Sequence, residues 1–194
     1  MKRHSRLFTL ITFCTLLSLQ FVSHAANAAH TYAGVDLRSL AEFSTLRDDK
    51  SFEATALVFL SSKCPCSMSH IKELKELAAE YPQIRFVGVN SNTDESPKQA
   101  HRYFQSQELP FPVLKDEKAK LADEMRATKT PHVFVLKNDK ILFQGGVSNS
   151  AKLHQADRFF LREALGDIHA GRAVKTPLAR ALGCAIERTR QPEE

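Results

Sequence analysis

Short apolar runs alternate with amphipathic segments along this chain, and the pattern predicts an α/β sandwich: a mixed central sheet flanked by helices. Three observations carry that reading. An apolar run, Ala56 to Leu60, leads through Ser61-Ser62-Lys63 into Cys64-Pro65-Cys66. A segment with Ile71, Leu74, Leu77, Ala78 and Tyr81 on one helical face follows. A second buried-type run, Ile84 to Val89, comes directly after it. The last third offers two strand-like runs around Lys137-Asn138-Asp139 and then a helical pattern, so hairpin and helix complete a sheet with both parallel and antiparallel neighbours.

Taken in order, the chain opens as a secretory signal over residues 1–28. Met1 to Arg6 is basic, Leu7 to Val22 is mostly apolar, and Ser23-His24-Ala25 and Ala26-Asn27-Ala28 fit small-x-small cleavage. The apolar run is too short and polar for a membrane span, so membrane attachment is expected only if the signal stays uncleaved. Cys14 lies inside that run as filler. Residues 32–171 form the expected domain. Leu37, Leu40, Phe43 and Leu46 recur every three residues and predict a short helix before the first core strand. Ser96-Pro97 starts a helix reaching about Gln107 and carrying His101, Tyr103 and Phe104. Leu109 to Leu114 is extended because its prolines exclude helix. Further helices are expected over Ala119–Ala127 and Leu153–Leu165, and strands over His132–Leu136 and Lys140–Phe143. Gly145-Gly146 reads as a strand end or bulge. Residues 172–194 form a tail carrying Cys184 after a linker-like stretch.

The formal charge of the 194-residue chain is +5, but removing Lys2, Arg3 and Arg6 with the signal leaves 24 basic against 22 acidic residues, +2. No basic cluster remains, which excludes nucleic acid as the main partner. Export places the remaining thiols, Cys64, Cys66 and Cys184, where disulfides persist. Three is odd, so one thiol must stay free, exchange, or pair between chains.

The chemistry concentrates at Cys64. A cysteine at the first turn of a helix sits among unpaired backbone N–H groups and the positive end of the macrodipole, both of which favour thiolate. Pro65 suits the first helical position, and Lys63 adds a positive charge. Thr130-Pro131 stands just before a core strand, where a cis X-Pro bond is a fitting device.

These residues, in this order, resemble the thioredoxin superfamily, and more narrowly the exported redoxins of the alkyl hydroperoxide reductase/thiol-specific antioxidant group. The matching stretches are FLSSKCP, IRFVGVNSN, LPFPVLKD, ATKTPHVFVL and ALGCAIER, spanning about Asp36 to Arg188. The resemblance implies a thioredoxin-like fold, with Thr130 and Pro131 in a substrate-facing loop opposite Cys64 and backbone pairing to an extended substrate segment. It also implies a C-terminal Gly-Cys, here Gly183-Cys184, able to return to the site. The chain departs from the family in two ways. The second thiol of a Cys-x-x-Cys is replaced by Ser67, and Cys66 stands two residues from Cys64, about 200° around a helix. A Cys64–Cys66 bridge therefore needs Cys64 outside the helix, whereas closing the roughly 120-residue loop to Cys184 restricts the unfolded chain by about 4 to 5 kcal/mol. Against a peroxidase, Ser61 fits the expected hydroxyl, but Leu57 replaces the expected proline and no arginine is obviously placed for peroxide.

The sequence thus points to an exported thiol–disulfide oxidoreductase, extracytoplasmic or periplasmic. It is expected to be monomeric, to act on protein or small-molecule thiols and disulfides, and to need no cofactor or metal. Cys64 is the attacking thiolate, Cys66 the nearest resolving thiol and Cys184 a second resolver. The alternatives are a thiol peroxidase of the same fold and a Cu(I) carrier using Cys64, Cys66 and a histidine. For the latter, His70 lies four residues after Cys66 on one helix face and is otherwise a solvated helix residue. His132 follows the proline and faces either the thiols or solvent. Met68 reads as packing, and His101, His154 and His169 as surface. Asp94, Glu95 and Lys98 read as a polar loop.

Overall fold

The computed structural model describes residues 31–188. The signal segment, its cleavage sites and Cys14 lie outside the described residues. No described helix is long and apolar enough to cross a membrane.

The core is a five-stranded mixed sheet. Strand β3 (Ala54–Phe59) pairs in parallel with β4 (Ile84–Asn90), which pairs in parallel with β5 (Val113–Lys115). On its other edge β3 pairs antiparallel with β7 (His132–Lys137), and β7 turns back through Asn138 and Asp139 into β8 (Lys140–Gly145). Both turn residues have positive φ, 52° and 58°, which Asn and Asp tolerate better than most residues and which matches the twist of a hairpin. The spatial order is β5-β4-β3-β7-β8.

Alternation along the strands separates two apolar layers. Ala56, Val58, Val133 and Val135 face a core completed by Leu74 and Leu77 of α1 (Pro65–Glu80), Phe104 of α2 (Pro97–Ser106) and Leu161 and Leu165 of α4 (Phe160–His169). Leu57, Phe59, Val87, Val89 and Phe134 face the opposite layer, with Ala122 of α3 (Lys120–Met125), Tyr32 and Ile186. Ser96 caps α2 by accepting from the Gln99 N–H at 3.3 Å, and Pro97 opens it.

Several expectations are corrected. The helix expected around Leu37–Leu46 is a hairpin of β1 (Thr31–Val35) and β2 (Glu42–Leu46). Its turn is built by Asp36, whose carboxylate takes the Arg38 and Val113 N–H groups at 3.0 Å each and the Arg38 guanidinium. Leu37 is buried while Leu40, with φ 60°, is 54% exposed, so the spacing of three did not mark one face. The helix expected to start at Leu153 starts at Phe160, after an isolated 3-10 turn over Leu153–Gln155. That expected over Ala119–Ala127 is reduced to α3, preceded by a 3-10 turn over Glu117–Ala119. Met68 is 43% exposed rather than core.

The tail beyond α4 lies against the domain. Asp167 fixes its start by accepting from Arg172 and from the Lys175 N–H. The chain then runs beside β8, where the Gln144 N–H donates to Pro177 O and the Ala179 N–H donates to Gln144 O, both at 2.9 Å. Gly145 and Gly146 leave room for it, since a Cβ on Gly145 would stand 2.8 Å from Ala179. Finally β9 (Cys184–Ala185) pairs antiparallel with β6 (Lys129–Thr130), and Ile186 plugs into the second apolar layer.

The Thr130–Pro131 bond is cis, and β7 begins with His132, buried at 5% exposure and tilted on the Phe134 ring. Burial pushes its imidazole down to about 4, and its Nδ1 accepts the Thr128 N–H. A base whose folded pKa lies below its unfolded value contributes stability above about pH 6.5 that is lost as pH falls through the window down to the folded value. Urea midpoints of the wild type should therefore fall between about pH 6.5 and 4, and His132→Gln should flatten part of that slope. A variant with the wild-type slope would remove His132 as its source.

Candidate active site

The site is assembled where α1 begins. Cys64 occupies the N-cap with extended backbone, φ −83° and ψ 115°, and Pro65 is the first helical residue. Cys64 is therefore outside the helix and Cys66 inside its first turn, which relieves the helical separation expected of residues two apart. Cys184 arrives from β9. The three sulfurs lie within 4.8 Å of one another, with Cys64 buried and the other two half-buried.

The Cys64 thiol donates to the Thr130 carbonyl at 3.0 Å, so Cys64 and the cis-proline loop are in direct contact. Burial resists ionisation of Cys64. Hydrogen bonds from the Cys184 thiol, the Thr130 hydroxyl and the backbone N–H groups of Ser67 and Cys184 outweigh it, and the pKa falls from 9.0 to about 7. Thr130 Oγ1 is buried without a partner among the neutral groups, and ionisation of Cys64 gives it an acceptor. Burial pushes Cys184 up to about 12, reinforced by its hydrogen bond to Cys64 and by the Cys64 charge. Cys66 is also raised, by burial and then by Cys64. One sulfur is thus selected as the thiolate and two remain thiols.

The expected role of Lys63 is corrected. Its ammonium is engaged by Asp94, Nζ to Oδ2 at 2.9 Å and to the Asp94 carbonyl at 2.6 Å, so its charge is offset and backbone and hydroxyl donors stabilise the thiolate instead. His70 is not solvated: it is 1% exposed, with Nδ1 on Cys66 O at 2.7 Å and Nε2 on Ser148 Oγ at 2.8 Å. Both ring nitrogens are occupied, so His70 is a strut for the first turn of α1 rather than a partner of the thiols. His132 belongs to the layer of Phe134. His101 is also tied down, with Nδ1 on the Leu37 carbonyl at 2.9 Å.

The most consequential residue missed in the sequence is Glu95, buried at 2% exposure. Its carboxylate accepts from the hydroxyls of Ser61 and Ser62 at 2.5 and 2.6 Å, the Ser62 N–H at 2.9 Å, and the side-chain amides of Asn90 and Asn92 at 2.9 and 2.8 Å. Ser61 Oγ in turn accepts the Lys63 and Cys64 N–H groups at 3.1 Å each. The approach to α1 is thereby held by a buried carboxylate acting through one hydroxyl. The single proton of Ser61 is committed to Glu95, so the hydroxyl expected of a peroxidase is not free for a substrate. A faint signal lay in the polar cluster SSK…NSNTDES, where hydroxyls and amides able to donate stand close to two acids. Tyr103 was also missed: its hydroxyl is buried without a partner and pushed up to about 12, by burial first and then by the Cys64 and Glu95 charges.

The substrate-facing loop that the family resemblance implies, Thr130-Pro131, is covered at Thr130 by the chain's own β9, which pairs with Lys129–Thr130. Contact there is very close, since a Cβ at Gly183 would stand 2.0 Å from the Thr130 carbonyl oxygen. Gly183→Ala should therefore release the tail while leaving the sheet intact. The expected result is faster hydrogen exchange at Cys184–Ile186 with unchanged protection of β3 and β4; unchanged tail protection would show that the contact does not hold β9. Glu95→Ala strands five donors and should cost roughly 3 kcal/mol or more in urea unfolding, and a loss below about 1 kcal/mol would show the network to be dispensable.

Residues 53–142 match a family model described as Thioredoxin-like. No match is found among curated proteins. Among solved structures, an uncharacterized conserved protein from Geobacillus kaustophilus is 27% identical, with TM-score 0.74 over 84% of this chain and 92% of that one. A hypothetical protein from Sinorhizobium meliloti 1021 is 23% identical, with TM-score 0.73 over 84% and 93%. StoA from Bacillus subtilis is 21% identical, with TM-score 0.50 over 60% and 87%. The match falls on the stretch that builds β3, α1, β4 and β7 and begins β8, and the chain has a thioredoxin-like fold.

Proposed function

We propose that this protein is an exported thiol–disulfide oxidoreductase with Cys64 as nucleophile and a second sulfur of the same site as resolver. The observation that carries the reading is the meeting of Cys64, Cys66 and Cys184 at the start of α1, with Cys64 alone lowered to about 7. A pKa near ambient pH maximises the product of thiolate fraction and intrinsic nucleophilicity. Export rests on the order of basic, apolar and small residues in 1–28.

In the reducing direction, the Cys64 thiolate attacks one sulfur of a substrate disulfide. The substrate S–S bond breaks, one substrate thiolate leaves and takes a proton, and a Cys64–substrate mixed disulfide forms. Cys184 or Cys66 then loses its proton to the departing substrate sulfur and attacks Cys64. The mixed disulfide breaks, the second substrate thiol leaves, and an intramolecular disulfide remains. The substrate has gained two electrons and the enzyme has lost two, to be restored by an external dithiol. Run backwards, the same steps oxidise a substrate dithiol. Small disulfides can reach the sulfurs past the half-buried Cys66 and Cys184, whereas an extended protein segment needs β9 to leave Thr130. The Thr130 hydroxyl and the Ser67 N–H hold the thiolate form of Cys64 before it attacks and again when it is released.

Cys64→Ser should abolish disulfide reduction, and Ser67→Ala should leave it nearly intact because the contribution of Ser67 to Cys64 is its backbone N–H. An inactive Ser67→Ala with an active Cys64→Ser would relocate the site. In the wild type, single-turnover attack should rise with pH through about 7 and level off before pH 9, because the acid's folded pKa is lowered and thiolate persists down to that value. A rate still climbing steadily through pH 9 would mean an unactivated thiol. Non-reducing peptide mapping of the oxidised protein should find Cys184 bridged to Cys64 or Cys66, and Cys184→Ser should accumulate the mixed disulfide or turn over more slowly. If Cys184 stays a free thiol and its serine variant is kinetically unchanged, the tail has no redox role.

A further inference from the structure

We propose that reduced Cys64, Cys66 and Cys184 form a three-sulfur site for one Cu(I) ion. The inference goes beyond disulfide exchange and does not depend on turnover, because it concerns what the three thiols bind when none is oxidised.

The first support is geometry. The sulfurs come from three different places, the N-cap of α1, its first turn and β9, yet lie within 4.8 Å of one another. Three thiolates around a first-row metal, with bonds of ~2.3 Å in one plane, stand about 4.0 Å apart. Closing onto an ion therefore asks for shifts under about 1 Å, within the reach of small side-chain rotations at Cys66 and Cys184. Such convergence is a stricter requirement than a disulfide relay makes, since a relay needs its sulfurs together only two at a time.

Donor chemistry chooses the ion. Among the described His, Cys, Asp and Glu side chains, only the three sulfurs meet at the cluster. Both nitrogens of His70 are taken, by Cys66 O and Ser148, and His132 Nδ1 takes the Thr128 N–H. Among the described residues, this is the sole cluster of three such metal-ligating groups. Structural zinc takes four ligands in nearly every case, so three thiolates without a fourth side chain suit soft Cu(I) better. The histidine that the sequence offered for a copper carrier is thus replaced by Cys184.

Support around the ligands is the third observation. Thr130 Oγ1 is buried, its residue 1% exposed, and among the described residues it lacks a partner while Cys64 is a neutral thiol. It lies beside Cys64, whose sulfur also receives the Ser67 and Cys184 N–H groups. A thiolate bound to a metal keeps its negative charge and accepts such donors, which orient it and tune its affinity. The Thr130 hydroxyl would then be satisfied. Cys64 is 2% exposed and forms the closed floor, while half-buried Cys66 and Cys184 form the open side through which an ion enters.

The test uses the full chain, reduced and held without oxygen, titrated with Cu(I) against bathocuproine disulfonate. Copper-edge X-ray absorption counts the donors. The expected result is one Cu(I) per chain with three sulfur neighbours and all three cysteines protected from alkylation. Cys184→Ser should weaken binding by more than about 100-fold, beyond the 10- to 100-fold typical of supporting groups, and Thr130→Val by about tenfold. Circular dichroism of each variant separates lost ligands from lost fold, and Cys66→Ser provides a second ligand deletion if Cys184→Ser is unfolded. The proposal is overturned if copper passes entirely to the chelator or if nitrogen or oxygen donors dominate. It is equally overturned if Cys184→Ser binds as tightly as the wild type, or if Zn(II) displaces Cu(I) at equal concentration.

Discussion

A buried carboxylate with no cation against it among the described residues organises the heart of this molecule. Glu95 gathers two serines and two asparagines from the ends of β3 and β4 and from the loop before α2. Burying such a group costs several kcal/mol unless its lone pairs are filled, and here five donors fill them. The arrangement fixes where β3 stops and, through Ser61, how the first N–H groups of the turn into α1 are satisfied. That in turn places Cys64 at the N-cap, where the Ser67 N–H of the first turn reaches its sulfur. The negative charge sits one residue layer behind the thiolate, so the site depends on donors in front of it rather than on a neighbouring cation.

Those donors come partly from the far end of the chain. Cys184 supplies both its N–H and its thiol to Cys64, and with Ala185 it completes the Thr130 edge as β9. The lowered Cys64 and the raised Cys184 are therefore two sides of one shared proton. The asymmetry leaves Cys64 the most readily ionised sulfur of the three and holds Cys184 protonated while Cys64 carries the charge. Tail docking, thiolate selection and shielding of Cys64 are consequences of a single pairing between two short strands.

Much of this was legible in the sequence because it rested on strong local signals. The apolar run before Cys64-Pro65-Cys66 specified strand, turn and helix, and Ser96-Pro97 specified a capped start. Lys137-Asn138-Asp139 specified a hairpin. Failures had physical reasons. Leu37 to Leu46 offered a period of three over too few residues to outweigh the β-favouring Tyr32, Val35, Phe43 and Thr45, and the deciding contact, Asp36 to Val113, spans 77 positions. Glu95 looked like an exposed loop acid because burial of a charge is visible only when donors from distant segments converge. His70 was ambiguous for the opposite reason: its spacing from Cys66 suited a metal, but its partner Ser148 lies 78 residues away. Lys63 lost its expected role to Asp94, 31 residues on.

The course of the tail also sets an order in time. A chain made from its N-terminus exposes β3, α1, β4 and the β7–β8 hairpin before residues 172–188 exist to be laid along them, and domains begin to fold as they emerge. For that interval Cys64 and Cys66 stand without their third sulfur, and the Thr130 edge lies bare. The newborn domain is thus a different reagent from the finished one, with an open strand edge and a thiolate less well supplied with donors. The three sulfurs meet only once residues 172–188, held by Ile186 in the second apolar layer, pack against the domain.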